Sequence, residues 1–169
     1  MEWLSLLFNK ISPYNILNNF IPGVVLWFLL KSIVGWDFIC HENWVVSVIL
    51  FYFAGEVNSR VGSLLIEKGM KRYYGELFCS YEDYIKAERE DATIKILNTQ
   101  NNIYRSFVAV CLIVFLSLVW SWVVVFFPVL SCIEKELMIV LLFVVFMFSY
   151  VKQTTYVAKR VSVILKELK

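Results

Sequence analysis

The chain has 169 residues, of which 60% are hydrophobic, 17% aromatic and 18% charged, with a formal net charge of +2. A soluble domain carries roughly 45–50% apolar and about 25% charged residues, so the composition argues against an ordinary water-soluble globule. The charge balance gives no reason to expect nucleic-acid binding. Mean hydropathy is +0.69, and the apolar residues come in long runs. Those runs predict an all-α polytopic membrane protein with four transmembrane helices.

Residues 1–9 lack a basic leading region and a small-residue cleavage site, so no secretory signal is expected. Trp3, Leu4, Leu7, Phe8 and Ile11 predict a short interfacial helix over 2–11, with a frayed end as the alternative. Ser12-Pro13 has the form of an N-cap followed by proline at the first helical position. The short helix so started, 14–20, carries Asn15, Asn18 and Asn19, and closes an N-terminal interfacial segment spanning 1–19. Pro22 has no N–H and suits the first turn of a new helix. The first span is then 21–34, reaching towards Trp36. That is short for a hydrocarbon core needing ~20 residues, so Phe20 or Trp36 must help fill the depth.

A brief connection over 35–43 leads to a second span over 44–66. Its purely apolar part, 44–54, cannot cross alone, so the polar half must be included, and the first hairpin covers 20–66. Tyr52, Glu56, Ser59, Arg60 and Ser63 fall on one helical face, with Asn58 beside them. Gly55 and Ser59 form a small-xxx-small pair that admits a close neighbour.

Residues 67–105 are the main polar region, read as a cytoplasmic helical layer. Ser80-Tyr81-Glu82-Asp83 resembles a capping box and predicts a helix through Glu90. Asp91 can cap a further helix that runs into a third span over 107–127, ended by Pro128. A short loop over 129–136 precedes the fourth span, 137–151, extended backwards by Ile133; the second hairpin covers 106–151. The tail, 152–169, is helical in pattern, with Val157, Val161, Ile164, Leu165 and Leu168 on one face. All Lys and Arg except Lys31 and Lys135 fall on one side of this layout. Basic residues near span ends mark the cytoplasmic side, so both termini are expected on the cytoplasmic side of the membrane.

Glu56 and Arg60 are the sharpest functional pointer, because a charge at bilayer depth costs on the order of 3 kcal/mol. They could line a hydrophilic path with Lys31, Tyr52, Asn58, Ser59 and Ser63. They could equally neutralise each other, with Arg60 snorkelling and Lys31 reaching Asp37. Cys40 and Cys132 lie in the two outer loops and are a candidate disulfide, whereas Cys79 is cytoplasmic and Cys111 lies within the third span. His41 is the sole histidine and sits in an outer loop, so a cytoplasmic Ser-His or Cys-His centre is unavailable. Cys40-His41-Glu42 falls short of the four converging ligands of a metal site. No phosphate loop or dinucleotide turn is present. The chain therefore reads as non-enzymatic, with no cofactor and no direct nucleic-acid contact. Tyr81, Asp83 and Tyr84, with Val161, Ile164, Leu165 and Leu168 of the tail, are candidate contacts for a soluble partner or for other copies of the chain.

The run Ser12-Pro13-Tyr14-Asn15-Ile16-Leu17-Asn18-Asn19-Phe20-Ile21-Pro22-Gly23, with Tyr81-Glu82-Asp83-Tyr84 and Asn101-Asn102-Ile103-Tyr104-Arg105, resembles small membrane proteins of bacterial anti-phage defence islands. The four-helix membrane subunit of the Kiwa system is one such protein. The resemblance implies an inner-membrane oligomer that senses phage attack and works with a soluble, DNA-binding cytoplasmic partner. The alternative from another class is an oligomeric pore or small ion channel lined by the Glu56/Arg60 stripe.

Overall fold

The computed structural model describes residues 13–40 and 42–167. The interfacial helix expected over 2–11, the Ser12 cap, His41 and Leu168 lie outside the described residues. Among the described residues the chain forms five α-helical stretches and no strand. Helix α1 covers 13–34, α2 covers 44–73, α3 is Tyr81–Glu90, α4 is Ala92–Phe126 and α5 is Glu134–Glu167.

Pro22 does sit in the first turn of an α-helical segment, Ile21–Leu29, but no break separates it from what precedes. A π-helical turn, Ile16–Phe20, joins the two, and the Ile21 N–H reaches back five residues to the Ile16 carbonyl. The wider turn accommodates a proline that would otherwise interrupt the helix. A second π turn, Leu30–Val34, ends at Gly35, whose φ of 83° closes the helix in the left-handed region that suits glycine. The Asn43 side chain then caps α2 by accepting from the Val45 and Val46 N–H groups at 3.0 and 3.4 Å.

Helix α2 does not stop at the expected boundary after Ile66. It passes through a third π turn, Gly62–Ile66, and continues as Glu67–Tyr73. The Ser80 and Asp91 caps form as the sequence indicates: Ser80 Oγ accepts the Asp83 N–H at 3.1 Å and Asp91 Oδ1 the Thr93 N–H at 2.8 Å. Helix α4 joins polar layer and apolar run in one piece and ends just before Pro128. The loop expected over 129–136 is instead a 3-10 turn, Pro128–Ile133, followed at once by α5.

Helices α1 and α2 make the closest contact. A Cβ at Gly23 would overlap the Phe51 carbonyl oxygen, and one at Gly55 that of Asn19. Only hydrogen at these positions lets the backbones touch. Val110 and Val114 of α4 pack onto Leu26 and Leu30 of α1. Helix α5 lies along α2, with Phe146 against Phe53 at 6.0 Å. Helix α3 packs on α4 and α5, where Ile85 and Val163 are sealed from solvent. Helix α4 can support α3 because it begins right beside it, with only Asp91 between them. The segment Ile16–Val34 and helix Ala92–Phe126 are each long and apolar enough to cross a membrane.

Candidate functional site

Two polar constellations stand out, one within the helix bundle and one at its polar end. In the first, Arg60 Nε donates to Glu56 Oε1 at 2.7 Å, one turn apart on α2. The other carboxylate oxygen, Glu56 Oε2, accepts from the Asn19 side-chain amide across the α1–α2 contact. Asn18 Nδ2 donates to Ser59 Oγ at 3.2 Å, and Asn18 Oδ1 accepts from Ser106 Oγ of α4 at 3.1 Å. Asn58 Nδ2 donates to the Ser106 carbonyl at 2.9 Å. Asn18, Asn19, Asn58, Ser59 and Ser106 are all buried. The π turn carries Asn18 and Asn19 onto the face that meets Gly55, and π turns in helices often mark such special positions. Asn58 Oδ1 is buried with no hydrogen-bond partner among the described residues.

The expected polar stripe is therefore divided. Glu56, Ser59 and Arg60 belong to this network, and Asn58 joins it from the α4 side. Tyr52 is half-buried and stands apart from it. Lys31 does not join; it pairs with Asp37 at 2.7 Å and lies over the Trp27 ring. Ser63 turns to α5, where Lys152 Nζ donates to its Oγ at 2.6 Å and to its carbonyl at 2.8 Å. The π turn explains the second bond. Because the Glu67 N–H is drawn back to the Gly62 carbonyl, it cannot serve Ser63 as it would in an α-helix.

Glu67 is the hub of the second constellation. Its carboxylate meets Lys71 of α2 at 2.8 Å, Arg105 of α4 at 2.8 Å and Lys152 of α5 at 3.0 Å. The Tyr156 hydroxyl adds a longer bond at 3.3 Å. Burial acts to raise the Glu67 pKa, but the bonds from Lys71 and Lys152 outweigh it and lower the value to about 2. Burial, with Arg105 and Lys71 beside it, lowers the Lys152 ammonium despite the pull of Glu67. Burial raises the Tyr156 phenol, and the Glu67 charge adds to it, so the hydroxyl stays protonated and donates. Sequence reading passed over this hub. The Glu67–Lys71 spacing of i, i+4 was its only local sign, since Arg105 and Lys152 arrive from distant helices.

The proposed contact residues are partly committed within the chain. Tyr81 packs against Tyr156 with the rings tilted by 44° and their centroids 5.0 Å apart. Asp83 accepts from the Ser80 hydroxyl at 2.7 Å, and the Tyr84 hydroxyl accepts from Asn98 Nδ2 at 3.0 Å. Val161, Ile164 and Leu165 remain exposed. Cys40, Cys79, Cys111 and Cys132 are free thiols in this structure. The Cys40 carbonyl is held onto the start of α2 by the Ser47 hydroxyl at 2.9 Å and the Asn43 N–H at 3.2 Å. That fixes Cys40 on the α1–α2 connection, while Cys132 belongs to the 3-10 turn after α4. Among the described residues no group of acidic, Cys or His side chains could hold a metal ion. No family model, curated protein or solved structure matches the chain.

Proposed function

We propose that the chain is a non-enzymatic sensor or scaffold subunit of a bacterial anti-phage defence complex. It sits in the inner membrane as a homo-oligomer and acts through a soluble cytoplasmic partner. Helices α1, α2, α4 and α5 supply four spans, with both termini cytoplasmic. In the most apolar stretches of Ile16–Val34 and Ala92–Phe126 only 33% and 22% of residues are buried, whereas a core helix of a soluble protein would be mostly buried. The remaining apolar surface suits lipid and neighbouring copies. Lys68, Lys71, Arg72, Arg105 and Lys152 gather at one end of the bundle, as the positive-inside rule requires of the cytoplasmic side.

The observation that carries the reading is the Glu67 hub. It ties α2, α4 and α5 together where the apolar runs give way to the polar layer. Helices α4 and α5 pass through this level unbroken and reach α3 beyond it. A change in span packing is thereby delivered to the layer formed by α3 and the ends of α4 and α5, which is what a sensor coupled to a soluble partner needs. Two of the strings that resemble defence-island proteins also meet in space: Asn102 Nδ2 donates to the Tyr14 hydroxyl at 3.2 Å.

The pore reading is less well supported, since Glu56 and Arg60 neutralise each other inside one chain and Asn19 and Asn18 occupy the groups around them. Membrane potential in cells expressing the protein tests the choice. The expected result is an unchanged resting potential for the native chain, Glu56→Ala and Arg60→Ala alike. Depolarisation by the native chain that both variants abolish would make the stripe a conduit and overturn the scaffold reading.

A further inference from the structure

The Glu67 hub is not electrically balanced. Lys71, Arg105 and Lys152 surround one carboxylate, which leaves two positive charges uncompensated. The nearby acids are committed elsewhere: Glu56 to Arg60, and Glu82 to Lys166 at 3.4 Å. Tyr156 contributes only a neutral phenol, and Arg105 Nε is buried without a hydrogen-bond partner among the described residues. Half-buried cations in excess of their counter-charge are costly, and an external anion would relieve the cost.

The surroundings say which anion. Lys71 is the open side of the hub, with 46% of its side chain exposed. Just beyond it the chain turns through Tyr73, Tyr74 and Leu77, which are 81%, 55% and 77% exposed. Phe78 folds back beneath Lys71, with the ammonium 5.4 Å from its ring centre. Exposed tyrosines and a leucine next to basic residues suit the bilayer interface, where an aromatic ring keeps its body in the apolar layer. A free phosphate in water would draw nothing from them. Basic pockets between spans on the cytoplasmic side are a recurrent way of holding anionic headgroups.

We infer that Lys71 and Arg105, with the charge of Lys152 behind them, form a site for the phosphate of an anionic phospholipid of the inner leaflet, with Tyr73, Tyr74 and Leu77 seated at the headgroup boundary beside it. Glu67 orients the three cations and at the same time moderates their pull. The inference rests on the four-span reading for its depth in the membrane. It ties the coupling point between spans and polar layer to lipid charge.

The test is native mass spectrometry of the full chain from nanodiscs of phosphatidylcholine containing a small fraction of phosphatidylglycerol. The native chain is expected to retain phosphatidylglycerol selectively. Lys71→Gln, at an exposed position, should weaken that retention about fivefold, the effect of one basic residue near an anionic surface. Lys135→Gln removes the same charge at the opposite end and should leave retention unchanged, whereas Glu67→Gln should strengthen it. Equal retention of the two lipids, or equal loss in Lys71→Gln and Lys135→Gln, would overturn the site. Displacement of the lipid by millimolar inorganic phosphate would make free phosphate the ligand and overturn the lipid assignment. Labelling of the exposed Cys79 by a membrane-impermeant maleimide separates the two levels of the argument. If Cys79 labels only from the outer face, the topology fails and the site with it. If it labels from the cytoplasmic face and phosphatidylglycerol does not bind, the site alone fails.

Discussion

Glu56 and Glu67 lie on the same helix and are satisfied in opposite ways. Glu56 finds its cation one turn away on its own helix, and its second oxygen is met by a neutral amide. Glu67 draws cations from α4 and α5 as well as its own helix, and the resulting group carries excess positive charge. The difference follows from depth. Inside the apolar bundle an uncompensated charge is prohibitive, so ion pairing is local and the links to other helices are made by uncharged Asn and Ser. At the polar end, excess charge can be met by water or headgroups, and cross-helix ion pairs become usable. The first region thus holds helices together by close approach, and the second by charge.

The sharpest way to break this comparison is to spoil the close approach. Gly55→Ala should cost about 3 kcal/mol or prevent folding, because its Cβ would overlap the Asn19 backbone. Gly69→Ala, which meets open space, should instead be neutral or stabilising by less than about 1 kcal/mol. Thermal melts of the two variants in detergent, monitored by circular dichroism, check both; similar melts would mean that the α1–α2 contact is looser than described.

The hub comes next. Glu67→Gln removes the common counter-charge and should cost about 2 kcal/mol. Its pH signature is specific. A carboxyl lowered from 4.5 to about 2 stabilises the folded state fully above pH 4.5 and loses that contribution as the pH falls towards 2. Melting temperature should therefore fall through that window in the native chain and fall less in Glu67→Gln. Parallel curves would show that Glu67 does not supply the acid sensitivity.

A finer contrast lies within the stripe. Glu56→Ala leaves Arg60 and Asn19 without their acceptor and should cost about 2 kcal/mol, whereas Ser63→Ala removes one of several Lys152 partners and should cost less than about 1 kcal/mol. Equal losses in urea or heat would remove the reason to treat the Glu56–Arg60 pair as special. The smallest effect is expected from Lys166→Ala. Its bond to Glu82 joins two exposed side chains, and a double-mutant cycle should return less than about 0.5 kcal/mol.

Much of the layout was written in local chemistry. The long apolar runs, the Ser80 and Asp91 caps, the stop before Pro128 and the unbroken passage of the polar layer into α4 each follow from neighbouring residues, so they could be read directly. The Glu56–Arg60 pair was legible for the same reason, as i, i+4 spacing puts partners on one face. The π turns were not legible. They arise where proline, glycine or a close neighbour shifts one hydrogen bond, a tertiary effect with little local signature. Lys31 joined Asp37 rather than the stripe because Gly35 turns the chain sharply back at the helix end.

The sequence by itself determined that this chain is helical, rich in membrane-length apolar segments, and charged mainly at one end, because hydrophobic periodicity and capping act over a few residues. Only the tertiary structure decided that Asn18, Asn19 and Ser106 complete the Glu56 network, and that Glu67 gathers Arg105 and Lys152. Those partners come from helices distant in the chain, and for Asn19 and Glu56 their meeting depends on where Gly23 and Gly55 let the backbones of α1 and α2 touch.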